Sequence, residues 1–133
     1  MRPALLMLAL ATPALAQANT CGGLTSVTES TTLVYPPIAK AAHVQGPVIL
    51  MVSFTLSGAV DHIDVINGYP MLNASATSYA QGWQANPYTG PRTCPIVITY
   101  RLSTTTSEKP STTRSDPQHV TIVSGSPLIQ AQY

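Results

Sequence analysis

From Val48 to Leu56 the chain alternates: Val48, Leu50, Val52, Phe54 and Leu56 fall on one side of an extended backbone, and Ile49, Met51, Ser53 and Thr55 on the other. A period of two predicts a strand whose fully apolar face must be covered. Just upstream, Pro36 and Pro37 are tolerated at a helix start, Ile38, Ala39, Lys40, Ala41 and Ala42 favour helix, and Gly46 is placed to stop it. After a Ser57-Gly58-Ala59 turn, Val60 to Asn67 predicts a second strand, returning as a hairpin with Ile63 and Val65 on the buried face and His62 and Asp64 outward. Pro70 then precedes a stripe of Leu72, Ala76, Tyr79 or Ala80, and Trp83 at helical spacing, with Asn73, Thr77 and Gln81 on the solvent side. Residues 84–94, with Asn86-Pro87 and Gly90-Pro91, predict a loop. Pro95 to Leu102 predicts a third strand, with Ile96, Ile98, Tyr100 and Leu102 on one face.

This order predicts an α+β fold: a three-stranded antiparallel sheet in the order second, first, third, with two helices packed on one face. Its expected core is Val48, Leu50, Val52, Phe54, Ile63, Val65, Leu72 and Trp83. The third strand is then an edge, with a row of unpaired backbone donors and acceptors. Residues 17–34 read as a linker or weak edge strand, 35–102 as the domain, and 103–133 as a flexible Ser/Thr/Pro-rich tail with a short strand at 119–124.

Composition narrows the chemistry. At 133 residues the chain has room for one domain with tails. Charged residues make up 8% and the formal net charge is +1, which argues against nucleic acid as a partner. Met1-Arg2, an apolar run to Leu10, and Ala14-Leu15-Ala16 read as a secretory signal peptide over 1–16, cut before Gln17. The competing reading is an uncleaved membrane anchor. Cys21 and Cys94 would meet an oxidising compartment, where a disulfide is the natural state and two unpaired thiols the alternative. Without Cys-x-x-Cys spacing they do not suggest zinc or redox catalysis, and no metal or cofactor is expected.

The stretch from Tyr35 to Leu102 resembles the carboxy-terminal domain of the TonB family. Tyr35-Pro36-Pro37-Ile38-Ala39 is similar to that family's Tyr-Pro-x-x-Ala opening, and Gly46-x-Val48 to the start of its first strand. Phe54 to Val60 resembles its Gly-turn hairpin. Leu72, Asn73, Ala76 and Trp83 stand where it has Leu-Asp, Ala and Trp, and Ile98 to Leu102 resembles its closing strand. Asn73 replaces the acidic residue.

The resemblance implies a periplasmic module that binds an extended peptide of an outer-membrane transporter by strand addition. Ile96, Val97, Ile98, Thr99, Tyr100 and Arg101 are the expected docking edge, because main-chain pairing needs an open strand. A cap formed by residues 119–124, or a second copy of the chain, is the other candidate occupant. The second functional reading is a disulfide-linked secreted structural or inhibitory module. Catalysis and a small-molecule substrate are not expected: only His62 and Asp64 share a face, and His43 and His119 have no identifiable partner in the sequence.

Overall fold

Both helices begin at prolines. The computed structural model describes residues 21–90, 92–104 and 109–126, and its elements run β1 (Val27–Glu29), α1 (Pro37–Ala41), β2 (Gly46–Phe54), β3 (Val60–Asn67), α2 (Pro70–Gln81), β4 (Trp83–Ala85), β5 (Arg92–Ser103), β6 (Ser111–Asp116) and β7 (His119–Gly125). The proposed signal peptide at 1–16 and the end of the tail lie outside the described residues. In α1 and α2 the first residue is the proline, whose missing N–H costs nothing there.

Helix α1 ends earlier than Gly46. His43 takes a left-handed φ of 56°, and the N–H groups of His43 and Val44 turn back to Lys40 O at 3.0 Å and Ala39 O at 2.8 Å, closing the helix by backbone bonds alone. Gly46 instead opens β2. Helix α2 buries Leu72, Ala76, Tyr79 and Ala80, the expected stripe, but stops at Gln81. Trp83 therefore does not close it: the Ser30 N–H donates to Gly82 O at 2.9 Å, which draws the chain into β4, paired antiparallel with β1.

The sheet corrects the three-stranded expectation. It has five strands in the order β3-β2-β5-β7-β6, beside the two-stranded β1-β4 ribbon. Strand β2 is flanked by β3 and β5, both antiparallel, as the hairpin and the return helix require. The added strands come from residues read as tail. Strand β7 lies parallel to β5, setting Val120 against Ile98 and Ile122 against Tyr100, so two buried side chains extend the apolar layer. Strand β6 then pairs antiparallel with β7.

Of the expected core, Val48, Leu50, Val52, Phe54, Leu72 and Trp83 are buried. Ile63 is partly buried and packed against them. Val65 is not a core residue: it is 42% exposed, because β3 is the outermost strand and its pairing with β2 slips at both ends, between Ile49 and Leu50 and between Ser53 and Phe54. Each slip is a bulge that twists the strand locally.

Two fasteners hold the amino-terminal leg. Cys21 and Cys94 form a disulfide with Cα atoms 4.7 Å apart across a sequence separation of 73, a loop whose closure is worth up to about 4 kcal/mol. Beside it Arg92 is buried, its guanidinium 5.4 Å from the Phe54 ring centre and 5.3 Å from that of Tyr88. It donates to Asn86 O at 2.6 Å.

Candidate functional site

The expected docking edge is closed. From Val97 to Ser103, β5 is paired on one side with β7, and from Arg92 to Tyr100 it is paired on the other with β2. Ile96, Ile98 and Tyr100 are buried, Val97 and Thr99 are half-buried, and only Arg101 is exposed. These six residues are therefore an interior ladder, which corrects their reading as an open strand. The Tyr100 hydroxyl is 2.9 Å from Ser75 Oγ. Burial pushes this phenol up to about 12, so it stays neutral. The signal for closure was present in the sequence, since Val120 and Ile122 alternate as a strand face does.

The sheet has two real edges, and they differ. Strand β6 carries no large apolar side chain and is bolted down by Arg114. That guanidinium lies 4.4 Å from the Trp83 ring centre, pairs with Glu29 Oε2 at 2.7 Å and donates to Pro117 O at 3.0 Å. It thereby joins β6 to β1 and β4. At the β6–β7 turn, Asp116 accepts from the Gln118 N–H at 2.8 Å and lies 2.8 Å from His119 Nδ1. The His119 contact, aided by the Gln118 N–H, holds the Asp116 carboxyl below its ordinary range.

Strand β3 is the open edge. Among the described residues its one strand partner is β2. At its start, Ala59 makes a single bridge to Gln84, and Gln84 Nε2 donates to Ser57 O at 2.8 Å. Gly58 is required at that turn: φ is 99°, and a Cβ would sit 1.9 Å from Ala85 O. Beyond the bridge the outer side of β3 meets a cleft of about 390 Å³ lined by Val60, Asp61, His62, Ile63, Thr77 and Gln81. Val65, Ile66, Tyr69 and Met71 are exposed at its far end. His62 Nε2 lies 3.0 Å from Asp64 Oδ1, and both side chains are exposed, as expected of a cofacial pair two residues apart.

Among the described residues, no group of three or more His, Cys, Asp or Glu is placed to hold a metal ion. No described helix is long and apolar enough to cross a membrane.

The sequence profile described as Gram-negative bacterial TonB protein C-terminal matches residues 31–102, more than half of the 133 residues. The chain belongs to the TonB C-terminal family. That family consists of protein-interaction domains rather than enzymes. Among solved structures, the solution NMR structure of the Pseudomonas aeruginosa TonB carboxy-terminal domain is similar, with 20% identity and a TM-score of 0.48, over 59% of this chain and 89% of that one. No curated protein matches. The part matched to the TonB family spans α1 to β5 and stops at Leu102, so β1, β6, β7 and Cys21 all lie outside it.

Proposed function

We propose that this chain is an exported periplasmic binding module of TonB C-terminal type, which takes an extended segment of an outer-membrane transporter, or of another envelope protein, onto its sheet by strand addition. The export rests on the signal-like residues 1–16, and the transport role rests on family membership. The observation that carries the reading is the unpaired outer side of β3 beside the cleft against α2. An edge of this kind offers main-chain donors and acceptors for affinity, and Thr77 and Gln81 stand ready to read alternate side chains. Strand β5, with Ile96 to Arg101, would take such a segment only by losing β7.

Chemical-shift mapping of isotope-labelled full-length protein with transporter amino-terminal peptides tests this. Shifts gathered in Val60 to Asn67, Thr77 and Gln81 are expected. The absence of shifts with every peptide sinks strand addition.

The closure of β5 by the chain's own β7 favours a second reading, a disulfide-linked structural or inhibitory module that keeps the fold without energy transduction. Slow amide exchange throughout Ile96 to Arg101 together with an inert β3 would select it.

A further inference from the structure

We propose that the Cys21–Cys94 disulfide is a redox latch: while it is formed the β6–β7 hairpin stays closed over β5, and its reduction by a dithiol loosens that hairpin and uncovers the β5 edge. The latch goes beyond strand addition at β3 and does not depend on it. Four of its parts, Cys21, β1, β6 and β7, lie outside the stretch shared with the TonB family.

The contacts from sulfur to hairpin are continuous. Cys94 sits on β5 and holds Cys21. From there the leg meets the side chain of Asn86, which donates to Gly23 O at 2.7 Å and accepts from the N–H groups of Thr25 at 2.9 Å and Ser26 at 3.2 Å. Three residue pairs then seat β1 on β4, and Glu29, the last residue of β1, reaches Arg114 of β6 at 2.7 Å. Arg114 stands opposite Val120 in the β6–β7 pairing, and Val120 stands opposite Ile98 on β5. The covalent bond and the closure of β5 are thus two ends of one line of contacts.

The bond controls the far end because the leg has little else to seat it. A two-stranded ribbon this short is marginal by itself, the Asn86 hydrogen bonds are exposed to water, and Leu24 and Val27 are only partly buried against the core. Cross-linking takes away the leg's freedom to leave. Once the bond is lost, Glu29 separates from Arg114 and a charge-assisted hydrogen bond goes with it. Strand β6 then keeps only the stacking of Arg114 on Trp83 as its tie to β4.

The exchange needs no reactant besides the dithiol. Cys94 is fully buried and Cys21 only partly, so a thiolate of the reductant attacks the Cys21 sulfur. The Cys21–Cys94 bond breaks as the mixed disulfide forms, and Cys94 leaves with the electron pair and takes up a proton. The second thiolate of the reductant then closes its own disulfide and releases Cys21, so two electrons and two protons pass to the pair.

Trp83 is the only tryptophan of the chain and lies 4.4 Å beneath the Arg114 guanidinium, so its fluorescence reports the latch. The full-length protein is compared oxidised and after dithiothreitol, with reduction confirmed by titration of both thiols. On reduction, Trp83 emission should move to longer wavelength and its quenching by acrylamide should rise. Amide exchange in Ser111 to Asp116, in Val120 to Ser124 and at the Val97 N–H, which donates to Gln118 O, should quicken roughly tenfold, with Val48 to Phe54 still protected and the far-UV circular dichroism retained. Coupling between two sites is reciprocal, so Glu29→Gln should shift the equilibrium with dithiothreitol toward the thiols by the same factor of roughly ten. Asp61→Asn, an exposed carboxylate on β3, should leave that equilibrium where it is. Unchanged quenching and hairpin exchange in the reduced protein, a Glu29→Gln equilibrium equal to that of the parent, or unfolding of the whole chain on reduction would each overturn the latch. None of these readings uses a peptide, so strand addition and the latch can fail independently.

Discussion

The two edges of the sheet are built from opposite materials. Strand β6 is almost wholly polar, Ser-Thr-Thr-Arg-Ser-Asp, yet it is pinned through Arg114 to Trp83 and Glu29. Strand β3 carries Ile63, Val65 and Ile66, yet its outer side has no strand partner among the described residues and two of those three are exposed. The difference teaches that apolar content does not decide which edge is strapped down. What pins β6 is one side chain that reaches across to another layer, Arg114 on Trp83 and Glu29.

The sharpest way to break the contrast is to remove the anchor beneath β6. Trp83→Ala empties a site that is 2% exposed, stacks edge-on with Tyr79 and supports Arg114. It should cost about 3–5 kcal/mol of unfolding free energy, measured by denaturant titration under oxidising conditions. Arg114→Ala keeps the core and removes only the strap. A loss of about 1–2 kcal/mol is expected, with faster amide exchange in Ser111 to Asp116 and unchanged exchange in β3. Equal acceleration at both edges would erase the distinction. Val65→Thr on the open edge should move stability by no more than about 0.5 kcal/mol, because the side chain is already exposed; a loss as large as that of a core residue would show β3 to be covered.

The smallest effect lies at the β6–β7 turn. Asp116 has its carboxyl held low in the folded protein, so its contribution is present above the carboxylate's unfolded pKa and disappears as pH falls through the lower folded value. Asp116→Asn should flatten that acid limb slightly, as read from unfolding midpoints between about pH 5 and 2.

The legible part of the fold was the part whose pattern is local. Val48 to Phe54 announced β2 by alternation, and Leu72, Ala76 and Ala80 announced the buried face of α2. Strand β6 could not be read this way, since Ser111 to Asp116 has no apolar alternation and exists as a strand through pairing with β7 and the reach of Arg114 to Trp83. Non-local partners of that kind leave no period in the sequence. Val65 misled for a related reason: period-two reasoning assumes an unbroken register under full cover, and β3 has bulges at both ends and an outermost position. The candidate site was half legible. The outer position of β3 followed from the hairpin, while the closure of β5 required β7 to be recognised as part of the domain.

The Cys21–Cys94 bond joins the start of the described chain directly to the middle strand of the sheet. Mechanical load applied to the polypeptide ahead of Cys21 would enter β5 through sulfur and bypass residues 22–93, so a pull from that side would load a strand held on both sides first instead of peeling the domain open from its margin.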